Sequence, residues 1–137
     1  MAAVTFTDAF YWIAAASPKD VWHPRVLAWE AAHPHARFVT TEEILSELLT
    51  WFAGTGPAGR AHASAMVRGI MGDPSAQVLP QTSADFAAAL TLYEDRPDKG
   101  YSLTDCRSMI ALRALGISEV LTNDHHFTQE GFAILFP

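Results

Sequence analysis

Asp8, Glu47, Asp105 and Asp124 are the residues whose types and settings could do chemistry in this chain. Asp8 closes a short apolar run that reads as a first strand. Glu47 lies inside a helical pattern and not at its end, so no capping role explains it. Asp105 falls three residues after Ser102, in the first turn of a helix, and Asp124 ends the turn Thr122-Asn123-Asp124 that stops a later strand. In an open α/β sheet, ligands bind beyond the carboxyl ends of the strands. If the first and fourth strands are neighbours, Asp8 and Asp124 share that edge. Carboxylates gathered so closely repel one another, and their pKa values rise unless a cation joins them. Oxygen-only ligation favours a hard ion, Mg²⁺ or Mn²⁺. A metal held there suits phosphodiester hydrolysis, because it activates water and stabilises the charge that builds on the phosphoryl oxygens.

Each acid also has an ordinary structural explanation. Asp105 can simply complete a capping box with Ser102, and taken alone that is the commoner role. Asp8 and Asp124 can cap the elements they enter, and mid-helix glutamates such as Glu47 are usually solvated. Convergence on one edge is what favours a site. Basic residues that could meet phosphate are Arg60, Arg68, Lys99 and Arg107. Arg60 and Arg68 stand about two turns apart and could line one helix face. Arg107 diverges by nearly half a turn from Asp105 and is expected to face outward. Taken singly, each is expected on a solvated face. His125 and His126 are extra ligands, phosphate contacts or plain turn residues. Glu42 and Glu43 read as surface and capping groups, and Trp12, Trp22, Trp29 and Trp51 as core or interface. The lone Cys106 excludes an internal disulfide framework and a cysteine zinc cluster, and reads as a small core residue.

The elements that must position these groups follow from hydrophobic pattern and turn chemistry. The 137 residues are half hydrophobic and 18% charged, which suits one domain spanning 1–137 with a real core. A net charge of −6 argues against a generic basic nucleic-acid coat. With no signal-peptide pattern and no run of membrane-spanning length, a soluble cytoplasmic protein is expected. Ala3–Thr7 reads as a buried strand, Ala9–Ala16 as a helix, and Asp20–Ala32 as a second helical pattern that becomes regular at Pro24. Arg37–Val39 is a second strand. Thr40 and Glu43 have capping-box spacing at the head of a third helix, whose apolar side is Ile44, Leu45, Leu48, Leu49, Trp51 and Phe52. Gly54–Gly59 reads as a loop. It spells GxGxxG, but no strand precedes it and Pro57 removes an N–H, so the dinucleotide reading is rejected.

Arg60–Met71 is a fourth helix and Ala76–Leu79 a third strand. Thr82 caps the next helix, marked by Phe86, Leu90 and Tyr93. After the polar loop Arg96–Gly100, Ser102 opens a helix that Gly116 ends. Ile117–Leu121 and Phe132–Phe136 are the last two strands. The alternation predicts an α/β sandwich with a mainly parallel five-stranded sheet.

Four pieces together resemble a known family: Thr7-Asp8 after the first strand, Ile44-Leu45-Ser46-Glu47-Leu48, Ser102-Leu103-Thr104-Asp105, and Leu121-Thr122-Asn123-Asp124 followed by Phe127. In this order they resemble the PIN-domain ribonucleases, specifically the VapC-like toxins of toxin–antitoxin modules. The resemblance spans essentially the whole chain. It implies a PIN-like three-layer α/β/α sandwich and a metal-dependent endoribonuclease. Asp8, Glu47, Asp105 and Asp124 would be catalytic, with Asp8, Asp105 and Asp124 holding Mg²⁺ or Mn²⁺. Thr7 or Thr122 would bond a ligand or a carboxylate. Arg60, Arg68 and Arg107, which come from the residues alone and not from the resemblance, are secondary candidates to meet the RNA substrate. It also implies a cognate small antitoxin and a homodimer. Two features depart from the pattern: Ala9 and Phe10 follow Asp8 where a small polar residue is common, and the charge balance is acidic. The competing reading is a catalytically silent PIN-like module that binds RNA or protein. A phosphatase using Asp8 as nucleophile would be expected to carry a second aspartate at the position held by Phe10.

Overall fold

A computed structural model describes residues 4–137. The first strand, β1, runs Val4–Thr7, and the Ala3 assigned to it from sequence lies outside the described residues. Next come α1 (Ala9–Ala16), α2 (His23–Ala32), β2 (Arg37–Thr41), α3 (Glu42–Trp51), α4 (Gly56–Gly72) and β3 (Ala76–Leu79). The chain continues with α5 (Ser83–Asp95), α6 (Leu103–Leu115), β4 (Glu119–Leu121), α7 (His126–Gln129) and β5 (Ala133–Ile134). The strands form one five-stranded sheet in the order β3-β2-β1-β4-β5, and every pairing is parallel.

That order places the layers. From β1 the chain steps outward through β2 to β3, then crosses back to β4 and on to β5. Right-handed crossovers put the helices of these two journeys on opposite faces. Accordingly α1 packs on α2, α3 and α4, whereas α5 packs on α6 and α6 on α7. The direction reverses between β1 and β4, which makes the carboxyl ends of those two strands the switch point where a crevice must open. Phe6 pairs with Val120 and Thr7 with Leu121, so Asp8 and Thr122 leave the sheet side by side.

Several local expectations are corrected. The cap of α3 is Thr41, whose hydroxyl accepts from the Ile44 N–H, and not Thr40. Thr40 belongs to β2, where its hydroxyl donates to the Thr7 carbonyl and accepts from the Trp12 indole. Strand β2 therefore runs two residues longer than its hydrophobic pattern indicated, and the presumed box with Glu43 never forms. Helix α4 starts at Gly56, inside the stretch expected to be a loop, because Pro57 suits the first helical turn. Helix α2 starts at His23, leaving Val21 exposed, and Leu27 faces solvent too. Strands β4 and β5 are shorter than expected, though Phe132 and Phe136 are buried. On α5 the burial is inverted: Phe86, Leu90 and Tyr93 face solvent while Ala89 and Leu92 face inward. Alanine at a helix contact lets α5 approach α6 closely, which turns the larger side chains away. On α3, Leu49 and Trp51 are exposed, so its buried side is Ile44, Leu45, Leu48 and, beyond its end, Phe52. Trp12 is core, and Trp22 and Trp29 are partly buried against it.

Arg107 is the largest departure. It is buried, with Nε 2.9 Å from Glu43 Oε2 and one terminal nitrogen 3.3 Å from Asp85 Oδ2 and 3.3 Å from the Pro80 carbonyl. It therefore ties α6 to the head of α3 and to α5, and is spent on structure. The sequence expectation of an outward-facing residue free to meet phosphate does not hold. Arg107 is buried, but Glu43 and Asp85 keep part of their side chains in water, so its removal leaves them partly solvated. Arg107→Ala is expected to cost about 1–3 kcal/mol in urea unfolding. A loss below about 1 kcal/mol would show that the pair is solvated and structurally idle.

Candidate active site

Each acidic side chain reaches the switch point by a distinct local device. Asp8 stands at the N-cap position of α1, yet its side chain makes no cap bond. Instead Oδ2 accepts from the Thr122 hydroxyl at 2.8 Å. The same hydroxyl accepts from the Asp124 N–H at 3.1 Å, so the fully buried Thr122 couples the end of β1 to the turn after β4. That turn is pinned from behind: Asn123 Nδ2 donates to the Phe136 carbonyl and the Phe136 N–H to the Thr122 carbonyl. Asp124 Oδ1 accepts from the His126 N–H at 2.9 Å, which starts the short helix α7 that sequence reading took for a turn.

Asp105 does form the capping box with Ser102: its Oδ2 accepts from the Ser102 N–H, and the Ser102 hydroxyl accepts from the Asp105 N–H, both at 3.0 Å. The ordinary explanation for this residue is therefore true, and it does not exhaust the residue. One Asp105 oxygen, one Asp124 oxygen and a ring nitrogen of His126 all lie within 4.8 Å of one another. Asp8 and Glu47 stand outside that tight set. Glu47 sits on the solvent-facing rim of α3, near Asp105 and Thr104. Thr104 had no signal in the sequence beyond its place directly before Asp105.

The acids tune one another. Burial pushes the Asp8 carboxyl up to about 7, despite opposing hydrogen bonds from Thr122 and the Ala9 backbone, with Asp105 and Glu47 adding repulsion. Asp105 is raised by burial, opposed by the Ser102 hydrogen bonds and reinforced by the charge of Asp124. Glu47 is raised by partial burial of its carboxyl and by Asp105, against the bond with Thr104. Among the described residues, no lysine or arginine pairs with this group: the ion-pair contacts of Asp105 and Asp124 are with His126. A cleft of about 620 Å³ opens over it, lined by Asp8, Phe10, Thr122, Asn123, Asp124, His125, His126 and Gln129.

The other candidate contacts lie elsewhere. Thr7 is fully buried, its hydroxyl facing the interior, and cannot touch a substrate as the chain stands. Arg60, on α4, donates to the Ala53 carbonyl and is exposed, and Arg68 is exposed further along the same helix. Lys99 is exposed with Asp98 as its ion-pair neighbour at 3.8 Å. Cys106 is buried, as expected of a core residue.

The donor set fits a divalent cation. Carboxylate oxygens from α6 and the β4 turn converge with an imidazole nitrogen, and that nitrogen, His126 Nδ1, is buried without a hydrogen-bond partner. No family model matches the chain, and no curated protein matches it in sequence. Among solved structures it is similar to the Mycobacterium tuberculosis toxin VapC20, which cleaves the sarcin–ricin loop. The TM-score is 0.82 at 21% identity, over 96% of this chain and 97% of that one. The likeness shows the fold: the expected PIN-like architecture, with a five-stranded all-parallel sheet, is the one this chain adopts.

Proposed function

We propose that the chain is a metal-dependent endoribonuclease that hydrolyses RNA phosphodiester bonds, and that it serves as the toxin of a toxin–antitoxin pair. The observation that carries this reading is the close pair Asp105 and Asp124, with Asp8 tied to the Asp124 turn through Thr122 at the crevice between β1 and β4. The likeness to VapC20 supports it by supplying a toxin with the same fold. Asp8, Asp105 and Asp124 would hold Mg²⁺ or Mn²⁺. When bound, such an ion supplies positive charge for the transferring phosphoryl oxygens and makes water more acidic. Thr122 orients the Asp8 carboxylate through its hydroxyl. Glu47, whose carboxyl is raised by burial, would take up a proton from water. Phe10 and Asn123 form the walls against which a nucleotide would lie. Arg60 and Arg68, exposed on α4, would meet phosphate only along an RNA that extends past the crevice.

A small antitoxin would silence this site by inserting a basic side chain among the carboxylates. Arginine suits that role, since its planar fork engages a carboxylate with two bonds. The exposed apolar residues near α2 and on α3, Val21, Leu27, Leu49 and Trp51, offer it a surface on which to lie. Expression of the chain alone is expected to arrest growth of its native host. Co-expression of a small neighbouring protein should restore growth and yield a stable complex. RNA incubated with purified protein should be cut with Mn²⁺ or Mg²⁺ and left whole with chelator. Intact RNA under all conditions, with harmless expression, would leave the silent binding module as the better account.

A further inference from the structure

We propose that His126 is a nitrogen ligand of the metal site, beside Asp105 and Asp124, and that it shifts the site's preference from Mg²⁺ toward Mn²⁺; this rests on the metal-dependent reading above. The geometry comes from the Asp124-x-His126 spacing. Asp124 Oδ1 takes the His126 N–H, which opens α7 and turns the imidazole back toward the acids. His126 Nδ1 then lies 3.3 Å from Asp124 Oδ1 and 3.6 Å from Asp105 Oδ2. Donor atoms about 2.1 Å from one ion and roughly 90–110° apart are about 3.0–3.4 Å from each other, so the imidazole nitrogen stands near ligand spacing from both acids, and the two acid oxygens, within 4.8 Å of each other, would close on the ion.

Apart from its contacts with the two acids, the nitrogen has no partner among the described residues. Nδ1 is buried and accepts or donates no hydrogen bond. The ring is steadied by the buried Tyr101, edge-on with centroids 5.3 Å apart, so the imidazole is held in place before any ion arrives. A neutral ring with its proton on Nε2 presents a lone pair to the crevice. Imidazole binds Mg²⁺ poorly and the first-row transition ions better, whereas carboxylates serve both. An imidazole added to the carboxylate ligands therefore makes the site discriminate where an oxygen-only site does not. The simpler account of the same contacts is an ion pair between a protonated His126 and the two acids, with no metal role for the ring.

The test is Mn²⁺ binding by the metal-free full-length protein, with free Mn²⁺ followed by electron paramagnetic resonance and ligation by pulsed measurement of ¹⁴N coupling. Wild-type protein is expected to show a directly bound imidazole nitrogen. His126→Ala should lose that coupling and bind Mn²⁺ about tenfold more weakly, while Mg²⁺ affinity, measured by competition, changes far less. Asp105→Asn should weaken both ions. If wild type binds Mn²⁺, Asp105→Asn weakens it and no ¹⁴N coupling appears, His126 is no ligand and the nuclease reading still stands. If wild type binds no Mn²⁺ at millimolar concentration, both fall together. Should His126→Ala fail to fold, the coupling in wild-type protein alone decides.

Discussion

Asp105→Asn protein is expected to fold normally and to lose RNA cleavage by several orders of magnitude. Both halves of that expectation come from the two tasks of this residue. Its capping task needs an oxygen that accepts the Ser102 N–H, and asparagine retains one. Its chemical task needs a negative charge beside Asp124, and asparagine has none. Loss of a charge that holds a catalytic ion removes transition-state stabilisation directly, and each 1.36 kcal/mol of it is a factor of ten in rate. Ser102→Ala is the matching control. It deletes the cap and leaves the acid, so it should cost about 1 kcal/mol in stability and far less in rate. Glu43 and Glu47 form a second pair, one helical turn apart. Glu43→Gln should weaken folding, because Glu43 meets Arg107 at 2.9 Å, whereas Glu47→Gln should weaken cleavage. Near-normal cleavage by well-folded Asp105→Asn protein, confirmed by circular dichroism, would remove this residue from the site.

The contrast between Glu43 and Glu47 shows where the sequence was legible. Strand–helix alternation and turn residues were enough to put Asp8 and Asp124 at the carboxyl ends of strands, but that β1 and β4 are neighbours stood only as a condition, because alternation fixes a parallel sheet and not the order of its strands. The capping box of α6 was readable because Ser102 and Asp105 satisfy each other locally. Arg107 was not readable. Its partners lie 64 residues back on α3 and, through Asp85, on α5, and helical phase alone cannot reveal a partner on another element. Thr40 misled for a related reason. Its hydroxyl had the right spacing for a cap, but a long-range bond to the Thr7 carbonyl and the Trp12 indole held it in the strand. On α5, the alternation of alanines with Phe86, Leu90 and Tyr93 carried no sign of which side would meet α6. For His125 and His126 the sequence left extra ligand, phosphate contact and turn residue open alike, since the placing of His126 depends on α7, a helix too short to leave a periodic trace.

Stability should fall as pH rises through the weakly acidic range, and Asp8 should be the main cause. Asp8 is raised from 3.8 to about 7, chiefly by burial, with Asp105 and Glu47 opposing its ionisation and Thr122 easing it. The folded chain thus holds this proton more tightly than the unfolded chain. Below about pH 4 both states are protonated and the residue contributes nothing. Between about pH 4 and 7 the unfolded chain ionises while the folded chain does not, so each pH unit lowers stability by up to about 1.36 kcal/mol. Above pH 7 a penalty of up to about 4 kcal/mol persists. Asp105 and Glu47, raised as well, push in the same direction. Glu130 works the other way at the acid end. Burial pushes it up, but hydrogen bonds from Arg96 and Arg113 outweigh that and hold it low, so its contribution is lost only as pH falls below the usual carboxylate range. Urea unfolding with chelator present should therefore give a more stable protein at pH 5 than at pH 8. Asp8→Asn removes the ionisation while keeping an oxygen for the Thr122 hydroxyl. It should be more stable than wild type at pH 8, nearly equal at pH 4, and inactive at both. Mn²⁺ should narrow the gap at pH 8 by stabilising the wild-type protein, since an ion bound only to the folded state adds its binding energy to folding. A variant that gains stability by losing its activity marks a residue kept for chemistry at a cost to the fold. If Asp8→Asn is instead less stable than wild type at pH 8, Asp8 is a structural partner of Thr122 and the charge at the end of β1 is not what the crevice is built around.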